Sequence, residues 1–120
     1  MTRLLMTCAT GLALCAGSVH ADGHASLVFA PGEGDFNWAS FEALKGTDLS
    51  GKSVTVFGPW LGPDKELVEN TFAYFEAATG VDVQYSGSDS FEQQIVIDTQ
   101  AGSAPNVAVF PQPGLAADLA

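Results

Sequence analysis

The sequence has few of the residues that form metal sites and disulfides or carry positive charge. Its 120 residues include two cysteines, two histidines and four basic residues, against 14 acidic residues. Both cysteines, Cys8 and Cys15, lie near the start of the chain. The remainder therefore has no disulfide and no cysteine-based metal site. We expect neither a metal ion nor another cofactor.

Residues 1–21 have the three regions of a secretory signal peptide. The single charge of Arg3 precedes an apolar run, Leu4–Ala16, and a short polar stretch ends in Val19-His20-Ala21. Small residues at the third and first positions before a cut are what signal peptidase accepts. The apolar run is too short to span a bilayer, which takes about 20 apolar residues. We expect cleavage between Ala21 and Asp22.

Two other interpretations of this segment stay open. The alternatives to a signal peptide are a buried helix of a cytosolic protein and the anchor of a lipoprotein modified on Cys15. Against the lipoprotein, the residue before a lipidated cysteine is normally Gly, Ala or Ser, and here it is Leu14. Cleavage after Ala21 would also separate His20 from Asp22 and His24, so these three residues do not predict a metal site.

Cleavage would leave a strongly acidic chain. Three lysines remain against all 14 acidic residues, which gives a net charge of −11. Such a surface repels nucleic acid and anionic lipid, because binding to either depends on Lys and Arg. The charge keeps an exported protein soluble. We expect no nucleic-acid partner, and the charge alone identifies no ligand.

Residues 22–52 are predicted to be a lead-in with one short helix. The segment Asp22–Asp35 is rich in Gly and Ala and predicts a mobile stretch. Asn37 is a candidate cap for a helix over Trp38–Leu44 that ends near Gly46. A turn follows at Asp48–Gly51.

Residues 53–120 are predicted to form an incomplete first lobe of α/β class. Three buried strands are predicted at Ser53–Phe57, Val81–Tyr85 and Val107–Phe110. The first intervening helix begins at Pro63, ends at Gly80 and carries an apolar face of Leu67, Val68, Phe72 and Phe75. The second follows Asp89 and ends at Gly102, with Phe91, Ile95 and Thr99 on one side. Alternating strands and helices predict a parallel sheet with right-handed crossovers. Gly114–Ala120 reads as a helix without a stop signal, so we expect the lobe to continue beyond it.

One motif matches a nucleotide-binding pattern in the wrong context. Gly46–Ser53 satisfies G-x-x-x-x-G-K-[ST], which cradles phosphates when a strand precedes it and a helix follows. Here a helix is predicted before the motif and a strand after it, and Asp48 would face the phosphates. We interpret it as a plain turn.

Ligands of open α/β sheets bind beyond the carboxyl ends of the strands. Three segments occupy those ends here: Gly58–Lys65, Ser86–Glu92 and Pro111–Gly114. Their candidate ligand-binding residues pair aromatic rings, which suit the C–H faces of a sugar, with carboxylates and amides, which suit its hydroxyls. These candidates are Trp60, Asp64, Lys65, Asp89, Glu92, Phe110 and Gln112.

Six of the seven candidates, all but Gln112, also have a purely structural interpretation. Trp60 and Phe110 are typical core residues, and Asp64 and Lys65 suit the solvated first turn of a helix. Asp89 and Glu92 fit a capping box, as do Ser90 and Gln93. No G-x-S-x-G nucleophile motif is present and no histidine follows His24, so no catalytic residue is predicted.

Five motifs carry a resemblance to a known family: Phe36–Trp38, Phe57–Trp60, Gly62–Glu66, Gly87–Gly102 and Val109–Gly114. They resemble segments of α-glucoside-binding proteins of bacterial ABC importers. These proteins belong to a wider group of extracellular sugar-binding proteins that includes maltose-binding protein. The resemblance runs from about residue 27 to residue 120.

The resemblance implies two α/β lobes, joined by hinge strands, that close on a sugar. It implies that Asp64 and Lys65 belong to a sugar-contacting loop, that Glu92 is a sugar-facing acid, and that Phe110 and Gln112 are an aromatic and polar pair. The sequence departs from the family in two places. Pro111–Gly114 lacks the acid that relatives carry there, and Asn106 replaces an aspartate that is frequent in this subgroup.

The implied function is periplasmic capture of an α-glucoside, such as maltose, sucrose or trehalose, for import through membrane permease subunits. We expect a monomer without catalytic activity. Two alternatives stay open: an exported carbohydrate-active enzyme, and a binding protein for another solute such as an oligopeptide or a polyamine.

Overall fold

The computed structural model describes residues 27–120. The predicted signal peptide, its predicted cleavage site between Ala21 and Asp22, and both cysteines and histidines lie outside the described residues. Seven elements follow in chain order: α1 (Ala39–Leu44), β1 (Ser53–Gly58), α2 (Gly62–Thr79), β2 (Asp82–Gly87), α3 (Phe91–Gln100), β3 (Val107–Ala108) and α4 (Pro113–Leu119).

The three strands form one parallel sheet in the order β2-β1-β3, with β1 in the middle. The register pairs Ser53 with Asp82 and Gly58 with Gly87, so β1 and β2 end level with each other. β3 pairs with the end of β1, with Ala108 opposite Phe57. The prediction of a parallel α/β sheet is therefore confirmed. All three strands point their carboxyl ends at one edge of the sheet.

Helices cover both faces of the sheet. Side chains alternate between the faces of a strand, so Val56 shares a face with its partner Tyr85, while Phe57 points the other way. Tyr85 packs against Phe72 of α2, with ring centroids 6.2 Å apart. Phe57 packs against Phe91 of α3, with centroids 5.0 Å apart. α2 thus lies on one face and α3 on the other.

The helix boundaries follow the predicted signals closely. α2 begins at Gly62 with Pro63 in its first turn, and it ends at Gly80, whose left-handed φ of 74° lets its N–H bond the Glu76 carbonyl. α3 ends at Gln100, two residues before Gly102, which has a φ of 70°. α1 begins at Ala39, one residue later than predicted, and Asn37 Oδ1 accepts its N–H at 3.1 Å.

The apolar face predicted for α2 is wrong at Leu67, which is 66% exposed. The fully buried positions of the helix are Ala73, Ala78 and Thr79 instead. Small side chains let the helix approach the sheet, and the larger Phe72 fills space beside Tyr85. On the side of α3 that was predicted to carry Phe91, Ile95 and Thr99, Phe91 and Ile95 are buried and Thr99 is exposed.

The three strands are less buried than expected. In β1 only Val56 and Gly58 are buried, and Thr55 is exposed. β3 has two residues rather than four, and its Val107 is 46% exposed. The pairing nevertheless continues by one bond beyond β3, from the Val109 N–H to the Phe57 carbonyl at 2.9 Å. β3 is an edge strand among the described residues, which explains its exposure.

Asn106 fastens the start of β3 to β1. Its Oδ1 accepts hydrogen bonds from the backbone N–H and the hydroxyl of Thr55, both at 3.0 Å, and its own N–H donates to the Thr55 hydroxyl at 3.0 Å. A carboxylate oxygen would accept the first two bonds equally well. The departure from the aspartate of related sequences therefore leaves this attachment intact.

Two substitutions of Asn106 distinguish the loss of its side-chain oxygen from the replacement of that oxygen by a carboxylate oxygen. Asn106→Ala should lower the free energy of unfolding by about 1–3 kcal/mol, because it removes the acceptor of two hydrogen bonds. Asn106→Asp should cost less than half as much. Urea denaturation of the two variants beside the parent protein measures the difference. Equal losses would show that the side-chain oxygen does not hold β3.

Residues 46–52 form a turn rather than a phosphate site. α1 precedes the turn and β1 follows it, which is the reverse of the order that a phosphate loop requires. Asp48 Oδ1 accepts the Ser50 N–H at 3.0 Å, and this hydrogen bond lowers the pKa of the Asp48 carboxyl. Gly51 has a φ of 76°, which suits glycine in the tight reversal before β1.

The lead-in contacts α2, in contrast to the predicted mobile stretch. Tyr74 Oη accepts the Phe29 N–H at 2.8 Å and donates to the Phe29 carbonyl at 3.1 Å. Trp38 lies 5.6 Å from the Tyr74 ring and donates its indole N–H to the Glu33 carbonyl at 2.9 Å. Contacts between aromatic residues therefore attach residues 29–38 to the α/β unit. The composition of the segment did not reveal these contacts.

Candidate functional site

The segments that follow the three strands meet around a cavity of about 210 Å³ at the carboxyl edge of the sheet. Pro59 contributes from the segment after β1, and Pro111 from the segment after β3. Most of the lining residues come from the segment after β2 and the start of α3. The complete lining is Pro59, Asp89, Ser90, Phe91, Glu92, Gln93 and Pro111.

Backbone hydrogen bonds join these segments where they leave the sheet. The Ser88 N–H donates to the Gly58 carbonyl at 3.0 Å, which connects the segments after β1 and β2. The Val109 N–H donates to the Phe57 carbonyl at 2.9 Å, which connects β1 to the segment after β3. The end of β1 thus fixes the cavity walls on both sides.

Phe91 forms the floor of the cavity and is the most buried large side chain, at 1% exposure. Its ring packs 5.0 Å from Phe57 and 5.4 Å from Phe110, measured between centroids. Phe110 is half-buried and packs against Phe91. It is not part of the cavity lining.

Asp89 and Glu92 lie at the cavity, but the predicted capping boxes are absent. Ser90 is the N-cap residue of α3, and no side-chain capping hydrogen bond is made there. Asp89 Oδ1 instead accepts the Ser90 hydroxyl at 3.2 Å, and the Ser90 N–H donates to Ser88 Oγ at 3.1 Å. The Asp89 and Glu92 side chains are exposed at the rim, where their carboxylates can accept hydrogen bonds from a ligand.

The structure places the other candidates outside the cavity lining. Asp64 is an exposed residue in the first turn of α2, and Lys65 Nζ lies 3.5 Å from Glu69 Oε1 within the same helix. Gln112 is exposed as the N-cap residue of α4. These three residues surround the carboxyl edge without meeting in one cavity.

Trp60 packs on the domain through both its ring and its backbone. Its ring lies 6.4 Å from Tyr85, between centroids, and it is half-buried. The Trp60 N–H donates to Tyr85 Oη at 2.9 Å, and Tyr85 Oη donates to the Trp60 carbonyl at 3.1 Å. This arrangement directs the neighbouring Pro59 towards the cavity.

Several residues that line the cavity were not among the candidates predicted from the sequence. Pro59 directly follows β1, and Pro111 lies three residues after Ala108, the last residue of β3. Their position in the segments after these strands was the signal that could have identified them. Ser90 and Gln93 were interpreted only as helix caps. Phe91 was assigned to the core, where it is buried, and it also belongs to the cavity lining.

A second, larger groove of about 400 Å³ lies between the lead-in and α2. Its walls are mainly aromatic, and they carry no carboxylate or lysine. The lining is Val28, Phe29, Phe36, Asn37, Trp38, Phe41, Leu67, Asn70, Thr71 and Tyr74. This groove uses the middle of α2 rather than the ends of the strands.

Two further observations bear on the kind of site. Within residues 27–120, no group of three or more His, Asp or Glu side chains is placed to hold a metal ion. Over the same range, no helix combines the length and the apolar character that crossing a membrane demands.

Two known proteins are similar to this chain. The alpha-glucosides-binding periplasmic protein AglE of Rhizobium meliloti (strain 1021) is 54% identical over 125 aligned positions, which cover 100% of this chain and 27% of AglE. The osmoprotective compounds-binding protein GgtB of Synechocystis sp. (strain ATCC 27184 / PCC 6803 / Kazusa) is 44% identical over 73 positions, or 61% of this chain and 17% of GgtB. No family model and no solved structure matches.

The similarity to AglE covers every element that builds the cavity, from β1 to α4, and the chain spans about a quarter of the length of that relative. Both relatives are named for the solutes that they bind. The parallel α/β sheet agrees with the fold that the resemblance implied. The chain belongs to the family of solute-binding proteins represented by AglE and GgtB.

Proposed function

We propose that this chain is part of an exported solute-binding protein that captures an α-glucoside for an ABC importer. The observation that carries the proposal is the 54% identity to an α-glucoside-binding protein along the whole chain. The cavity at the carboxyl edge of the sheet supports it, because this is where open α/β sheets bind ligands.

The chemistry of the cavity suits a neutral polyol. Asp89 and Glu92 supply carboxylates that accept hydrogen bonds from hydroxyl groups, and the amide of Gln93 both donates and accepts. Pro59 and Pro111 supply apolar surface for the C–H faces of a sugar ring. Because no lysine lines the cavity, its charged side chains are all negative and would repel an anionic ligand.

The cavity is smaller than most ligand sites, which occupy about 300–1,000 Å³. Its volume of about 210 Å³ fits one wall of a larger cleft. The chain corresponds to 27% of the length of AglE. In our proposal the remainder of the protein supplies a second lobe, and the sugar is bound between the two lobes.

The proposed location is the periplasm, reached by cleavage after Ala21, and the proposed partners are the sugar and the permease subunits of the importer. Both relatives are named as binding proteins, and AglE as periplasmic. These names support a role without catalysis. N-terminal sequencing of the exported protein should begin at Asp22, whereas a lipid-modified Cys15 would contradict this processing.

Calorimetric titration of the exported protein with maltose, sucrose and trehalose tests the function. We expect saturable binding of at least one sugar. Glu92→Gln should weaken that binding by about 10- to 100-fold, because a hydrogen bond to a charged acceptor contributes more than one to a neutral group. Glu66→Gln, an exposed acid of α2 outside the cavity, should leave the affinity unchanged.

Two outcomes would contradict the proposal. If none of the three sugars produces a heat of binding with a protein that unfolds cooperatively, the proposed α-glucoside ligand is wrong. Release of glucose during the titration would show an enzyme that cleaves the glycosidic bond.

A further inference from the structure

We propose that Tyr85 is a positioning residue for ligand binding, which holds the Pro59–Leu61 loop against the cavity. The inference rests on the proposed function for its ligand, because it concerns the wall that Pro59 contributes. Tyr85 itself lies beneath the loop, on β2, and is outside the cavity lining. Its role is therefore to fix the backbone of the loop.

The hydroxyl of Tyr85 makes two hydrogen bonds to the backbone of one residue. It accepts the Trp60 N–H at 2.9 Å and donates to the Trp60 carbonyl at 3.1 Å. Together these bonds satisfy both backbone polar groups of Trp60. The neighbouring Pro59 has no backbone N–H to offer, so these two bonds are central to the order of the loop.

The Tyr85 ring has little freedom to move. It is 8% exposed, and it lies between Phe72 of α2, at 6.2 Å, and the Trp60 ring, at 6.4 Å. A side chain held in this way positions its hydroxyl without a large further loss of conformational entropy. Burial raises the pKa of Tyr85, so its hydroxyl keeps the proton that it donates to Trp60.

Two glycines make room for this contact. A Cβ at Gly58 would lie 3.1 Å from Tyr85 Oη and 3.4 Å from the Trp60 ring. A Cβ at Gly87 would overlap the Trp60 carbonyl oxygen. Gly58 and Gly87 are partners at the ends of β1 and β2. The sheet edge is therefore open at the point where the Tyr85 hydroxyl reaches the loop backbone.

The same chain contains a matched control. Tyr74 makes the equivalent pair of hydrogen bonds with Phe29, at 2.8 and 3.1 Å, on the far side of α2. Tyr74→Phe and Tyr85→Phe thus each remove one hydroxyl group and the two hydrogen bonds that it makes with the backbone of another residue. Only Tyr85→Phe should change the cavity.

The experiment has two readouts. One is the affinity for the sugar that binds the parent protein, and the other is the fluorescence of Trp60, which can be measured without sugar. The sequence has two tryptophans, so Trp38→Phe leaves Trp60 as the only fluorophore of this chain. Any further tryptophan in the whole protein is replaced likewise. In this background we compare sugar affinity and acrylamide quenching of Trp60 for Tyr85→Phe and Tyr74→Phe. Urea unfolding measures the stability of both.

We expect Tyr85→Phe to weaken sugar binding about tenfold and to increase the quenching of Trp60, because the loop loses two hydrogen bonds. Tyr74→Phe should leave both readouts at the parent value even if its loss of stability is similar. Unchanged quenching in Tyr85→Phe, or an equal loss of affinity in both variants, would overturn the positioning role. If the parent protein binds no α-glucoside, the proposed function fails, and the quenching still tests whether Tyr85 holds the loop.

Discussion

Replacing Phe91 with alanine should lower the free energy of unfolding by about 3–5 kcal/mol, the range for removing a buried phenylalanine. Phe91 is 1% exposed, and it joins the sheet to the segment after β3 through Phe57 and Phe110. Its loss would leave a void beneath the cavity between these two rings. Urea denaturation measures the cost, and Phe91→Leu should recover part of it.

Leu67→Ala provides the control for this prediction. Leu67 is 66% exposed on α2, so its truncation removes little buried surface. We expect a loss of about 0.5 kcal/mol or less, as is usual for surface substitutions. A loss for Phe91→Ala no larger than that of Leu67→Ala would show that Phe91 does not hold these elements together.

Replacing Gly87 with alanine should reduce sugar affinity by about 100-fold, equivalent to about 2.7 kcal/mol. The new methyl group would overlap the Trp60 carbonyl oxygen, which is backbone and cannot rotate away. The loop that carries Pro59 must therefore shift, and the cavity wall shifts with it. Calorimetric titration of Gly87→Ala measures the loss.

Gly46→Ala is the matched substitution at a harmless position. A Cβ there meets nothing within 4 Å, and Gly46 has no left-handed φ. We expect parental affinity and a stability equal to or slightly above that of the parent protein. Parental affinity in Gly87→Ala would mean that the loop accommodates the methyl group without disturbing the site.

The order and direction of the elements could be predicted because their signals are local. Pro63 and Gly80 bound α2, and Gly102 closes α3, through backbone preferences that need no tertiary information. The parallel sheet then follows from the alternation of strands and helices. The location of the site followed in turn, since parallel strands end at one edge.

The contacts that complete the site could not be predicted, because they join residues distant in sequence. The Tyr85 hydroxyl pairs with Trp60 across 25 positions, and Asn106 pairs with Thr55 across 51. No spacing rule in the sequence indicates either pair. The capping box failed for a local reason, because the Asp89 carboxylate accepts the Ser90 hydroxyl and the Ser90 N–H donates to the Ser88 hydroxyl instead.

The central claim is that the sugar binds at the carboxyl edge of the sheet, and backbone NMR of the isotope-labelled protein during titration with its sugar tests it most directly. The account predicts saturable shifts at the amides of Trp60 and of residues 89–93, with the amides of residues 28–41 and 67–74 unchanged. Saturable shifts confined to the aromatic groove between the lead-in and α2, with the edge of the sheet silent, would contradict the account.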